Sequence, residues 1–181
     1  VAVDIEYAKT VEGWMADSES EYLATIASRS FEILEVGCWM GRSTIAMACN
    51  TPGVVYAVDP WTGNPETEQY VAEQGGREWL RAMFDKNINA AGVSKWVVPV
   101  MLPSVQAATE SFLSRHRFDL IFIDGNHTYE SVKADIECWS KLLRPNGVLA
   151  GHDYGNPPWE GVIKAVDELV PKFRIVPGTS I

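Results

Sequence analysis

Three aspartates and two histidines are the residues of this chain best suited to chemistry, and each stands at or just past the end of a short apolar run. Asp59 follows Val54–Val58, Asp124 follows Phe118–Ile123, and His152 and Asp153 follow Gly147–Gly151. His127 lies three residues past Asp124. A carboxylate can accept two hydrogen bonds from a vicinal diol or ligate a hard cation, and an imidazole titrates near neutrality and can take a proton from a hydroxyl. A fifth feature is the glycine-bracketed turn Gly37-Cys38-Trp39-Met40-Gly41, after the apolar run Phe31–Val36. Glycines there permit positive φ and close approach of a ligand to the backbone.

The elements that must position these residues read as strands alternating with helices. Strands are expected over Phe31–Val36, Val54–Val58, Val97–Met101, Phe118–Asp124, Gly147–Gly151 and Phe173–Val176. Helices are expected from Arg42 or Ser43, over Arg77–Ala91, Ser104–Ser114, Thr128–Leu143 and Gly161–Val170, with Arg144-Pro145-Asn146-Gly147 as a terminator. Residues 1–30 read as an N-terminal helical cap with Trp14, Tyr22, Leu23, Ile26 and Ala27 facing inward, and residues 31–181 as the main unit of a single domain. This alternation predicts an α/β, doubly wound fold with a mainly parallel sheet and flanking helices. Ligands of such sheets gather outside the carboxyl ends of the strands, where the glycine turn and the three acids all fall.

The chain has 181 residues, 46% of them hydrophobic and 22% charged, ordinary values for a globular domain. Its formal net charge of -9 argues against nucleic acid or an anionic membrane as the main partner. No apolar run reaches a membrane span, and no basic-then-apolar leader opens the chain, although its first residue is Val1. Cys38, Cys49 and Cys138 are odd in number and lack metal-type spacing, which fits free thiols and a cytoplasmic protein.

The turn's spacing bears on which nucleotide is bound. Asp59 lies about twenty residues past it, where doubly wound folds keep an acid for ribose hydroxyls. Gly37-Cys38-Trp39-Met40-Gly41 is not the dinucleotide pattern, because Trp39 takes the place of the second glycine. The ligand implied has a ribose and a small charged end without a diphosphate, as S-adenosylmethionine does. The bland readings stay open: a strand-end turn acid for Asp59, a helix cap for Asp124, an outward-packed His152 and a structural His127.

Glu35-Val36-Gly37-Cys38-Trp39-Met40-Gly41-Arg42-Ser43 with Val58-Asp59-Pro60-Trp61-Thr62-Gly63 resembles the Rossmann-like class I S-adenosylmethionine-dependent methyltransferases. Phe122-Ile123-Asp124-Gly125-Asn126-His127-Thr128-Tyr129, Leu143-Arg144-Pro145-Asn146-Gly147 and Gly151-His152-Asp153-Tyr154 resemble one branch more narrowly. That branch is the small-molecule and sugar O-methyltransferases, including macrolide-sugar methyltransferases and cephalosporin-hydroxylase-like proteins. The resemblance runs from Phe31 to Tyr154. It implies a cofactor seat of Glu35, Gly37, Cys38, Trp39, Gly41, Ser43, Asp59, Pro60, Trp61, Ser104 and Asp124. Within it Glu35 would buttress the turn, Asp59 hold the ribose, Trp61 flank the cofactor and Ser104 lie near the adenine.

A divalent cation, Mg²⁺ or Mn²⁺, would sit on Asp124, His152 and Asp153, with His127 as base beside Asp124 in the catalytic pair. Trp61, Tyr154 and Trp159 are candidates for a wall against a small-molecule or sugar acceptor, and His116 is read as surface. A homo-oligomer is compatible with this reading. Two rivals are an NAD-dependent oxidoreductase and a cofactor-binding protein without catalysis. The family's usual final antiparallel strand would begin where Ile181 stands.

Overall fold

The computed structural model describes residues 2–181. Five strands form one parallel sheet in the order β3-β2-β1-β4-β5: β1 Glu32–Val36, β2 Val54–Val58, β3 Val97–Val100, β4 Phe118–Ile123 and β5 Leu143–Gly151. Seven α-helices accompany them: α1 Asp17–Ala27, α2 Arg42–Ala48, α3 Glu68–Gln74, α4 Gly76–Ala90, α5 Ser104–Thr109, α6 Tyr129–Trp139 and α7 Glu160–Leu169. The central strands are apolar on both faces, as a sheet covered on both sides requires. Ile33, Val55, Ala57, Leu120 and Phe122 pack under α1, α2 and α4, with Leu23, Ile45, Leu80 and Phe84. Leu34, Val58, Ile121 and Ile123 pack under α5, α6 and α7, with Ala107, Ile136, Trp139 and Ala165.

Local rules account for most boundaries. Thr128 caps α6, its side chain accepting from Ser131 N. In the cap of α1, Glu19 Oε2 accepts from Ala16 N at 2.8 Å, so the third residue of the helix closes its own N-terminus. Two turns hold glycines for steric reasons. Gly41, at φ 94°, is the left-handed residue from which α2 starts. Gly37, at φ 84°, sits so close to the exit of β4 that an added Cβ would lie 2.1 Å from the Asp124 carbonyl oxygen.

Three expectations are corrected, and one helix appears that none of them covered. Phe173–Val176 is not a strand; Phe173 and Ile175 are about half exposed and nothing pairs with that backbone as a ladder. Arg144–Gly147 does not end a helix but lies inside β5, on the sheet edge, where Asn146 takes φ 65° and the ladder to β4 shifts register. Pro, Asn and Gly there mark an edge irregularity rather than a stop. The segment after β2 forms α3, unassigned from sequence because Gly75 and Gly76 follow it. Trp14 is 71% exposed and stands outside the core, whereas Leu23 and Ala27 are fully buried. No helix among the described residues is long and apolar enough to cross a membrane.

Gly37→Ala and Gly155→Ala separate the two kinds of glycine constraint. Gly155 has φ 83° with nothing within 4 Å of an added Cβ, so its replacement should cost about 1 to 2 kcal/mol from backbone strain alone. Gly37→Ala adds a backbone clash at the same φ and should lose clearly more in urea unfolding.

Candidate functional site

A cleft of about 1210 Å³ opens at the carboxyl ends of the strands. The exits of β1, β2, β4 and β5 form its floor, and segments before α1, around residues 60–67 and at 178–180 form its rim. Of the expected cofactor residues, Gly37, Cys38, Trp39, Ser43, Asp59, Pro60, Ser104 and Asp124 line it, as do His127, His152 and Asp153.

Asp59 is the anchor of the glycine turn. Its Oδ2 accepts from Cys38 N at 2.8 Å and Trp39 N at 3.1 Å, and its Oδ1 accepts from Trp61 N at 2.6 Å. Burial raises its carboxyl pKa, opposed by those three backbone donors. Three of roughly four acceptor positions are thus used, leaving about one for a ribose hydroxyl rather than a free pair. Glu35 stands behind the turn, fully buried, accepting from the hydroxyls of Ser43 and Thr44. Burial pushes it up to about 7, against the pull of those two hydroxyls.

Other assignments move. Trp61 does not flank the cleft: it is fully buried against Phe84, with Arg81 over its ring and Nε1 donating to the Trp39 carbonyl at 3.0 Å. It therefore braces the turn from beneath. Gly41 packs on Phe84 and is likewise outside the lining. The Ser104 hydroxyl is committed, donating to Asp135 and accepting from Trp139 Nε1. Tyr154 leaves the cleft, its hydroxyl on Asp167 and its ring against Phe173. The aromatic lining is Trp14, Trp39 and Trp159; Trp39 contacts Trp14 and Tyr70. His116 is half-buried rather than on the surface, paired with Glu32 at 2.9 Å and packed on Tyr56.

Past β4 and β5 the ionisable groups converge. His152 Nδ1 lies 3.4 Å from Asp124 Oδ1 and 3.2 Å from Asp153 Oδ2, and its Nε2 lies 3.0 Å from Glu19 Oε2. Burial alone would lower the His152 pKa, but Asp124, Asp153 and Glu19 around it push it up to about 12. Asp153 is correspondingly held well below the usual carboxylate range by His127, His152 and Asn156, despite its burial. His127 Nε2 faces Asp153 Oδ2 at 3.2 Å and its ring lies 4.2 Å from that of Trp159. Its buried Nδ1 has no hydrogen-bond partner, Glu66 being 3.8 Å away. Burial lowers the His127 pKa, and the Asp153 bond followed by the charges of Asp153, Asp124 and Glu66 more than reverses that.

One ligand atom each from Asp124, His152 and Asp153 fall within 4.8 Å of one another, a donor set that fits a divalent cation. Two contributors were not read from the sequence. Glu19 reaches His152 from α1 and also binds Ser180 through N at 2.9 Å and Oγ at 3.0 Å; as one acid among several in the cap it carried no signal. Asp135 did carry one: it shares a helix face with Val132, Ile136 and Trp139, all buried.

A parallel α/β domain with a cleft across its strand exits, a glycine turn after β1 and an acid after β2 defines a nucleotide-binding class. The chain belongs to the methyltransferase-domain family, whose model matches residues 34–154. The O-methyltransferase from Bacillus cereus in complex with SAH superposes with a TM-score of 0.65 at 20% identity, over 94% of this chain and 76% of that one. CalS11, a calicheamicin methyltransferase, superposes with a TM-score of 0.65 at 19% identity, over 90% and 74%. TomG from Streptomyces achromogenes, an O-methyltransferase of tomaymycin synthesis solved with SAM, gives 0.63 at 17%, over 88% and 71%. At these identities the likeness is one of fold. A curated relative, the uncharacterized protein y4gI of Sinorhizobium fredii, is 27% identical over 132 residues, 70% of this chain but 13% of that protein.

Glu35 sets a pH dependence. Its pKa, about 7 in the fold against 4.5 for the free group, is raised, so the folded state holds the extra proton. The stability tied to it is full below about pH 4.5 and is lost as pH rises through 7, by about 3 kcal/mol in all. Glu35→Gln should remove that slope, leaving a smaller stability difference between pH 5 and pH 8 in urea titrations than wild type shows.

Proposed function

We propose that this protein is an S-adenosylmethionine-dependent methyltransferase acting on a hydroxyl of a small molecule or sugar, with a divalent cation held by Asp124, His152 and Asp153. The observation that carries the cofactor choice is the charge of the cleft. Eight carboxylates line it against a single arginine, Arg42. Arg42 is itself engaged, with Asp17 at 2.7 Å and the carbonyls of Lys9 and Val11. A cationic sulfonium with an ammonium group suits such a lining, whereas the diphosphate of a nicotinamide dinucleotide would meet a lining in which carboxylates outnumber Arg42, His127 and His152 together. The same argument bears on the acceptor. CalS11 is described as a TDP-rhamnose 3'-O-methyltransferase, but here a neutral or cationic acceptor fits better than a phosphorylated one.

Bound S-adenosylmethionine would supply the methyl group, and a bound cation would lower the pKa of the acceptor hydroxyl. The chain's own groups do the rest. Trp14, Trp39 and Trp159 offer apolar faces against which an acceptor can stack. Asp153 orients the His127 ring through Nε2, leaving Nδ1 to take the hydroxyl proton in the place now faced by Glu66. Holding oxygen and methyl in line supplies much of the rate.

Calorimetry with S-adenosylhomocysteine and with NAD tests the cofactor: binding of the first and not the second is expected, and the reverse would overturn it. A screen of hydroxylated acceptors, read by release of S-adenosylhomocysteine, then tests catalysis. His127→Ala should lower turnover by about 10² to 10⁴ with cofactor affinity little changed. Chelation should abolish turnover with the same affinity retained. Cofactor binding with no turnover on any acceptor would support a binding protein instead.

A further inference from the structure

Glu19 is a buried carboxylate with no part in the chemistry described above. It stands in the first turn of α1, far in sequence from the strand exits, yet it lines the cleft. Its two oxygens are fully committed. Oε2 accepts from Ala16 N at 2.8 Å and faces His152 Nε2 at 3.0 Å, while Oε1 accepts from Ser180 N at 2.9 Å and Ser180 Oγ at 3.0 Å. A carboxylate offers roughly four acceptor positions, so none is left for a cation. Glu19 accordingly stands outside the group Asp124, His152 and Asp153, whose ligand atoms converge. Burial raises its pKa, and His152, Ser180 and Ala16 more than reverse that, holding it at about 2.

What Glu19 touches is the far side of the His152 ring. His152 Nε2 is buried and has no other hydrogen-bond partner, while Nδ1 lies on the side of Asp124 Oδ1 and Asp153 Oδ2. The last torsion of a histidine is broadly two-fold, so the ring itself does not decide which edge faces the acids. Turned over, it would present Cδ2 there in place of Nδ1, and a carbon ligates nothing. Which nitrogen of a histidine takes a metal is set by the bond that the other makes. Glu19 is the acceptor placed for that bond. Its own orientation is fixed from two sides, by Ala16 at the start of α1 and by Ser180, whose carbonyl accepts from Tyr154 N at 3.2 Å.

We infer that Glu19 is the positioning residue of the cation site, holding the His152 ring with Nε2–H toward its own Oε2 and so presenting Nδ1 as the ligand beside Asp124 and Asp153. This rests on the cation reading above. An imidazole matters more to a metal that favours nitrogen, such as Ni²⁺, than to Mg²⁺, which favours oxygen and water. Loss of Glu19 therefore falls unevenly on the two metals.

Calorimetry with Ni²⁺ and with Mg²⁺, on wild type, Glu19→Ala and Glu19→Gln, tests this without turnover. Glu19→Ala should bind Ni²⁺ about 10- to 100-fold more weakly and Mg²⁺ with a smaller loss, so the preference for Ni²⁺ narrows. Glu19→Gln, with one amide oxygen for four donors, should fall between Glu19→Ala and wild type. Equal losses on both metals would mark Glu19 as a purely structural staple of the cap and overturn the assignment. An unchanged preference would do the same. Urea unfolding reports whether each variant is folded, and if Glu19→Ala is not, Glu19→Gln decides by the same criterion. Wild type that binds S-adenosylhomocysteine but neither metal would sink the cation reading and this assignment with it, while the cofactor reading stands.

Discussion

The exits of β1 and β4 lie so close that no side chain fits between them, and the whole cleft depends on that contact. An added Cβ at Gly37 would sit 2.1 Å from the Asp124 carbonyl oxygen and 2.7 Å from Gly125 Cα. The two strands are paired up to Val36 opposite Ile123, and the ladder extends past them, Asp124 N donating to the Val36 carbonyl at 2.8 Å. The glycine turn and the acid cluster are thereby locked in one frame. A ligand seated on the turn has its distance to Asp124 set by backbone, not by flexible side chains, which is what in-line transfer requires.

How far the sequence discloses this can be judged from particular residues. Apolar β-rich runs identify β2 to the residue and β1, β3 and β4 to within one at each end, because central parallel strands are buried on both faces. Edge structure is less legible. Arg144-Pro145-Asn146-Gly147 has a terminator's composition but lies in β5, where an edge strand tolerates proline and a left-handed asparagine. Phe173 and Ile175 alternate as a strand would, yet stay exposed.

In the site, strand-end acids were legible because topology alone sends them to one edge. Contacts between distant elements were not. Glu19 reaches His152 across 133 positions of chain, and no local pattern encodes that. Trp61 shows the opposite error. Adjacent in sequence to Asp59, it turns beneath the floor while Pro60 stays on it. Asp135 was missed too, although a lone acid on a buried helical stripe needs a partner, here the Ser104 hydroxyl.

Backbone strain explains why the turn needs so many supports. Trp39 at φ 47°, Trp61 at φ 52° and Asp153 at φ 68° are all left-handed without being glycine, and they stand past β1, β2 and β5, at three of the strand exits bounding the cleft. Each costs about 1 to 3 kcal/mol unless the surroundings over-determine it. They do: Asp59 accepts from the N–H of both tryptophans, Trp61 Nε1 returns a bond to the Trp39 carbonyl, and Asn156 and two histidines hold the Asp153 carboxylate. The bends are what bring Trp39 to the wall and Asp153 to the histidines. The first two share one clamp, so loss of the Asp59 carboxylate would release both tryptophans at once. An effect of Asp59 on cofactor affinity is therefore an effect on the shape of the floor as much as on a ribose hydrogen bond. The two are separable with a ligand that lacks the ribose diol: if the shape dominates, Asp59→Asn should weaken S-adenosylhomocysteine and its 2',3'-dideoxy analogue in parallel in calorimetry, whereas a lost ribose hydrogen bond would weaken only the first.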